Sequence, residues 1–266
     1  MASMRDIKRR KGSIQSTQQI TKAMKLVSTV KLQRAKQNAE KSQTYFHCMY
    51  NTVHSILRRT QNLEHKYLKS GESGKKAVIV ITSNRGLAGG YNANVFREAA
   101  KYPDAEFIPI GKRACERYSA EVNSSEKYPS ADAYNLAKKL CTEFKNGEFG
   151  KLGIISTHYV SMMTQETTVQ WVLPLEKEES QSGVGTVFEP NEEYILDTAV
   201  PEYVTGIIFG AVRESYTCEV VARRTAMDSA GKNAQQMIDD LRLQYNCARQ
   251  GAITQEITEI IAGSGA

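Results

Sequence analysis

Proline is missing from both ends of this 266-residue chain, since all six prolines, at 103, 109, 129, 174, 190 and 201, lie in the middle. A proline inside a helix costs about 3 kcal/mol, so residues 1–102 and 202–266 are open to long unbroken helices. Glycine is scarce in the first of these, with none between Gly12 and Gly71. A helix over residues 4–69 would be on the order of 95 Å long. That exceeds the diameter of a compact domain of this size, so most of it must project into solvent or into a partner. Long apolar runs are also lacking. The longest covers residues 77–81, far short of the roughly 20 residues of a membrane span. The basic N-terminus has no apolar run behind it, so it does not read as a signal peptide. Five cysteines, at 48, 115, 141, 218 and 247, are odd in number and scattered, with no Cys-x-x-Cys and no zinc spacing. They point to free thiols in a reducing compartment rather than to a disulfide framework or a structural metal.

What is present divides the chain as the prolines do. Residues 1–69 carry 15 Lys/Arg against 3 Asp/Glu, residues 70–202 carry 14 against 19, and residues 203–266 carry 6 against 7. A net charge of +6 thus conceals a first segment of +12. Lys8, Arg9, Arg10 and Lys11 crowd its start, followed by Lys22, Lys25, Lys31, Arg34 and Lys36. Such a helix suits an acidic partner: nucleic acid, an anionic membrane surface or an acidic protein. Residues 1–40 hold no Phe, Tyr or Trp to stack on bases, which weighs against single-strand nucleic-acid binding. Their apolar residues, Ile7, Ile14, Ile20, Met24, Val27 and Val30, make a stripe too thin for a bilayer. A thin stripe does fit a two-helix seam. Residues 230, 234, 237, 241, 245, 248 and 252, from Ala230 through Met237 and Leu241 to Ala252, offer a matching one. The two ends are therefore expected to pair as an antiparallel coiled coil.

The middle reads as α/β with a mostly parallel sheet. Strands are expected at residues 76–82, 106–110, 152–157 and 167–173, with helices after the second of these and near 134–146. A glycine-rich loop, residues 83–92, follows the first strand and leads into a short helix. It has neither G-x-G-x-x-G nor G-x-x-x-x-G-K-[ST]. The four histidines, at 47, 54, 65 and 158, stand beside no Ser or Cys motif. No active site, cofactor site or metal site is apparent. A basic coiled-coil adaptor for nucleic acid and a nucleotide-dependent enzyme stay open as alternatives on these grounds alone.

Three stretches narrow the choice. SIQSTQQITKAMKLV (13–27), ITSNRGLAGGYNANV (81–95) and LRLQYNCARQGAITQEITEI (241–260) closely resemble the gamma subunit of the rotary F-type ATP synthase. The resemblance covers both ends and the start of the middle, and is slight between 115 and 201. It implies an α/β fold: a coiled coil of the terminal helices (residues 1–70 and 203–266) and a Rossmann-like central domain (71–202). It also implies a non-catalytic rotating shaft, one copy per complex, that couples ion flow through the c-ring to ATP synthesis or hydrolysis in the alpha and beta subunits. The epsilon subunit is a further implied partner, and neither nucleic acid nor direct membrane insertion is implied. The implied contacts with beta fall on Lys22, Met24, Lys25, Arg85, Gly86, Ala88, Arg223, Arg249, Gln250, Thr254 and Gln255, with Lys8, Arg9, Arg10 and Lys11 as the basic start of the shaft. Ala88 and Asn84 stand where several members have Cys and Asp. The chloroplast members' inserted dithiol has no counterpart, because residues 158–217 contain no cysteine. The first Met stands directly before the N-terminal motif. The expected location is thus the cytoplasmic face of a bacterial plasma membrane, or the matrix side of the mitochondrial one for a processed chain.

Overall fold

The structure, a computed structural model, describes residues 4–59, 65–69, 71, 74–176, 189 and 191–264, without the side chains of 39–45, 47, 59 and 192. Its elements, in order, are α1 (Met4–Arg59), β1 (Lys76–Ile81), α2 (Tyr91–Ala99), β2 (Ala105–Ile110), α3 (Lys112–Arg117), α4 (Ser130–Lys145), β3 (Lys151–Tyr159), β4 (Gln165–Leu173) and α5 (Glu192–Ser264). Two compact units result, one of residues 31–222 and one of residues 1–30 with 223–266.

In the larger unit the sheet order is β2-β1-β3-β4. β1 pairs in parallel with β2 and β3, and β4 returns antiparallel to β3. β1 is a run of apolar residues because both of its faces are covered. Ala77, Ile79 and Ile81 face a core built with α1, α4 and α5, while Val78 and Val80 face α2 and α3. Fully burying each such side chain contributes about 1.5–3 kcal/mol. Two glycines are dictated by close approach. Gly111, at φ 96°, turns β2 into α3, and a Cβ there would lie 2.1 Å from the Thr82 carbonyl oxygen. At Gly153, where the β3–β4 register shifts, a Cβ would lie 2.9 Å from the Trp171 ring.

The expected strands all form, but the long helices differ at their inner ends. α1 does not continue to Lys69. Residues 60–64 lie outside the described residues, and His65 is extended, its Nδ1 accepting the Tyr67 N–H at the start of a 3-10 turn over Lys66–Leu68. Tyr67 is buried and its carbonyl accepts from Leu175 N–H, so tertiary packing holds this stretch out of the helix. α5 starts earlier than expected, at Glu192, and carries Pro201 within it. Leu196, Val200, Val204 and Ile208, spaced by four, are all fully buried. Four buried apolar side chains outweigh the roughly 3 kcal/mol cost of one internal proline. α5 also contains an 18-residue window of mean hydropathy 1.3, long and apolar enough to cross a membrane by composition, of which 44% is buried within the chain. The side chain of His47 lies outside the described residues.

The smaller unit is an antiparallel helix pair. Gln18 Nε2 donates to Gln235 Oε1 at 2.8 Å, and Lys25 pairs with Asp228, so the partner number falls as the α1 number rises. The α1 seam runs through Ile7, Lys11, Ile14, Gln18, Thr21, Lys25 and Ser28, and the α5 seam through Met227, Gly231, Ala234, Ile238, Leu241, Tyr245 and Ala248. Both alternate steps of 3 and 4, the heptad repeat of a coiled coil. This corrects the expected seam at three places: Gly231 takes the place of Ala230, Met237 is exposed and Ile238 takes its place, and Ala252 is exposed beyond the end of the pairing. Thr21 Oγ1 would lie 3.5 Å from a Cβ at Gly231, so the backbones come close there.

Candidate functional site: two partner-contact surfaces

The helix pair buries polar groups among its apolar seam residues and leaves several apolar groups outside. Gln18, Thr21 and Ser28 are buried at seam positions, whereas Ile20, Leu26, Val27 and Val30 are more than half exposed. The sequence reading placed Ile20, Val27 and Val30 in the seam; the heptad register turns them outward. Lys22 is exposed and Met24 half-buried. Lys25, expected to face a partner, is engaged within the chain. It and Lys232, whose Nζ lies 3.2 Å from Asp228 Oδ2, hold the Asp228 carboxyl below the usual carboxylate range. Lys8, Arg9 and Arg10 are exposed, Arg9 pairing with Asp6 at 3.2 Å, and Lys11 is half-buried on the seam side. Arg223 is half-buried.

Beyond Ala248 every residue of α5 to Ser264 is exposed. Arg249, Gln250, Thr254 and Gln255 stand there together. The Thr254 hydroxyl donates to the Gln250 carbonyl at 2.9 Å, and the Gln255 amide donates to Glu259 at 2.9 Å. The sequence reading missed Ile253, Ile257, Ile260 and Ile261 on the same segment, all about half exposed or more. Their spacing of 4, 3 and 1 is a one-sided apolar stripe that could have disclosed a second face.

In the larger unit the glycine loop is held by side chains. Asn84 Oδ1 accepts from the backbone N–H of Ser125 at 3.1 Å and of Lys112 at 3.4 Å, while its Nδ2 donates to Ser124 Oγ at 2.8 Å. Asn92 Oδ1 accepts from Ser83 N–H, and Thr82 Oγ1 from Ala114 N–H. These oxygens take N–H groups that a phosphate would need, so the loop is a braced turn. Arg85 is exposed and Gly86 half-buried. Ala88, expected at the contact, is buried against Tyr91 and Cys218, and the outward residue is Leu87, at φ 63°. Behind the loop, Glu126 receives Lys31 Nζ and the Tyr216 hydroxyl. Burial works to raise its carboxyl, but those donors hold it below its usual value. Among the described residues no group of three His, Cys, Asp or Glu could hold a metal ion.

The chain thus combines a helix pair that leaves Ile20, Leu26, Val27 and Val30 exposed with an α/β sheet covered on both faces. A sequence profile described as ATP synthase matches residues 3–266, and the chain belongs to that family. Within it the curated relatives are gamma chains. The ATP synthase gamma chain of Lachnoclostridium phytofermentans is 44% identical over 100% of this chain and 99% of that one. That of Alkaliphilus metalliredigens is 39% identical over 99% and 98%. The fold matches a chain in the cryo-EM structure of Euglena gracilis mitochondrial ATP synthase (OSCP, F1 and c-ring), with TM-score 0.67, 18% identity and coverage of 98% and 93%. It also matches a chain in the Tetrahymena thermophila mitochondrial ATP synthase central stalk and c-ring structure, with TM-score 0.62, 19% identity and coverage of 79% and 99%.

Proposed function

We propose that the chain is the central rotating shaft of an F-type ATP synthase, a non-catalytic subunit that carries rotation between the membrane c-ring and the alpha/beta head. The observation that carries this reading is the end-to-end match to gamma chains at 44% identity. The chain is a peripheral part of a membrane-bound complex, and the bacterial relatives favour the cytoplasmic face of a plasma membrane. One copy serves each complex, with epsilon and the c-ring as further partners. Physically the shaft is an asymmetric element whose differential contacts bias each beta subunit in turn.

The contacts with beta are assigned to Lys22, Met24, Arg85, Gly86, Arg223, Arg249, Gln250, Thr254 and Gln255, and the basic entry to Lys8, Arg9, Arg10 and Lys11. Exposure of Lys22 and of residues 249–264 supports this assignment. Lys25 is moved from partner contact to the seam because Asp228 holds it, and Leu87 replaces Ala88 as the outward residue of the loop. The test is reconstitution in vesicles. Alpha, beta, epsilon and membrane subunits from a relative should hydrolyse ATP without pumping ions when this chain is omitted, and should pump when it is added. Pumping unaffected by the chain, or micromolar binding of Mg-ATP to the purified chain, would overturn the reading.

A further inference from the structure

The short turn that leads from α1 toward β1 is held by one histidine, and both nitrogens of its ring are engaged. His65 Nδ1 accepts the Tyr67 N–H at 3.2 Å. A ring nitrogen that accepts carries no proton, so the neutral imidazole keeps its hydrogen on Nε2. That nitrogen lies 3.2 Å from Asp197 Oδ1 in α5. The same carboxylate takes Lys145 Nζ of α4 on both oxygens, at 2.7 and 2.8 Å. The His65 side chain is 3% exposed, so water offers no substitute for either of its partners.

More than one side chain depends on this ring. Tyr67, whose N–H it caps, is buried with its ring stacked on Phe144 at 6.2 Å. The Tyr67 carbonyl accepts from Leu175 N–H at 2.8 Å, and Lys66 Nζ donates to the Lys145 carbonyl at 3.4 Å. The turn over Lys66–Leu68 is thus fastened to the C-terminal end of α4, to the start of α5 and to the segment after β4.

A second proton on the ring fits nowhere in this arrangement. Placed on Nδ1, it would face the Tyr67 N–H, donor against donor, and the turn would lose its cap. It would also set two cations, the imidazolium and Lys145, against the one carboxylate of Asp197. The other carboxylate acting on the ring, Glu193 of α5, is exposed. Burial holds the His65 ring below its usual value, helped by Lys145 and opposed by Asp197 and Glu193. The remaining titratable groups of the cluster are the Tyr67 hydroxyl and the Cys141 thiol of α4, which are hydrogen-bonded to each other. Burial raises both, the thiol to about 12, so neither changes charge where the histidine does.

We propose that His65 is a pH-operated latch: neutral, it fastens the turn of residues 65–69 to α4 and α5, and protonated, it lets that turn go. The closed turn is fully held above about pH 6.5 and loosens as pH falls from there to the depressed folded value of the ring. The latch is a property of this chain alone and stands or falls independently of the shaft reading.

The test is amide hydrogen exchange on the purified chain between about pH 7.5 and pH 5, on either side of the ordinary histidine value, with each amide referred to its intrinsic rate at that pH. The amides of Tyr67 and Leu175 should lose protection several-fold toward acid, while those of β1 keep theirs. His65→Asn supplies a side-chain oxygen that caps the Tyr67 N–H at any pH, so its turn should stay protected throughout. Nitrogen NMR of the His65 ring in the unaltered chain should show the Nε2–H form at neutral pH, a reading that needs no variant. Unchanged protection of Tyr67 and Leu175 in acid, an equal loss in His65→Asn, or the Nδ1–H form at neutral pH would overturn the latch.

Discussion

The position of the seam can be decided by two neighbouring alanines. Ile238 is 7% exposed and Met237 53% exposed, although the apolar spacing of the sequence favours Met237. Truncating a buried Ile to Ala costs 2–5 kcal/mol in a core. In a two-helix seam the cavity stays open to solvent, so the low end applies, about 2 kcal/mol. Met237→Ala removes little buried area and introduces the best helix former, so its effect should stay within about 0.5 kcal/mol. The difference is close to 1.5 kcal/mol, roughly a tenfold change in the unfolding equilibrium. Urea melts of the purified chain, followed by helical circular dichroism, read it as a lower midpoint at unchanged slope for Ile238→Ala. If Met237→Ala costs as much as Ile238→Ala, the helices pair in the register that the sequence favours, and the polar seam is wrong.

Gly111→Ala should destabilise the larger unit by more than about 2 kcal/mol, since it meets both a positive φ and the Thr82 carbonyl. Gly90→Ala, with nothing within 4 Å of its Cβ position, should be near neutral, and a thermal melt of each variant checks both. The hydrogen bond to Glu214 raises the His158 pKa above its usual value, burial opposing, while Glu214, raised by burial but lowered more by His158 and Tyr159 N–H, lies below its own. His158 therefore contributes stability that is fully present below about pH 6.5 and is lost as pH rises through its folded value. Glu214 contributes stability that is lost as pH falls through its depressed value. His158→Gln should thus cost more at pH 6 than at pH 8.5. Burial lowers His65 against the pull of Asp197, so an NMR titration should place His65 below 6.5 and His158 above it. Deleting residues from 257 onward should weaken the complex less than deleting from 241 onward, because only the longer deletion removes Leu241, Tyr245 and Ala248 from the seam. Equal losses of assembled ATPase would count against the pairing. Arg249→Ala with Gln250→Ala should keep helicity and change ATP-driven pumping, and parental pumping would make those side chains dispensable.

The sheet was legible because its strands announce themselves by local pattern. A five-residue apolar run gave β1, and alternation around Trp171 gave β4. The helix pair was legible only as a pair. Its register was hidden because an apolar side chain on a helix satisfies a partner's surface as well as its own mate, and Ile20, Val27 and Val30 are indistinguishable in sequence from seam residues. Gln18, Thr21 and Ser28 gave no sign that they would be buried, since a short polar residue such as Thr21 fits a close seam only where a small residue such as Gly231 faces it, and Gln18 only where Gln235 pairs with it. The start of α5 was misplaced for a related reason: Pro201 is a local signal, and the buried stripe from Leu196 to Ile208 that overrides it is a tertiary one. At the glycine loop the motif located the site, but which of two adjacent residues pointed outward, Leu87 or Ala88, was set by a backbone angle that no side-chain pattern reports.

The two polar pairs of the rod, Gln18 with Gln235 and Lys25 with Asp228, work as a length gauge. An apolar heptad seam slides at little cost, because each repeat resembles the next. Here a slip of one heptad, about 10 Å of helix, would set Gln18 against Arg242 or Asp228, and Lys25 against Gln235 or Val221. The ammonium of Lys25 would lose its carboxylate in either direction. A single polar pair in a coiled coil fixes register at some cost in stability, and two pairs of unlike chemistry, one amide and one ionic, admit only one setting. The reach of α5 beyond its mate is thereby fixed, and the tip that carries Arg249 and Gln250 stands at one calibrated height.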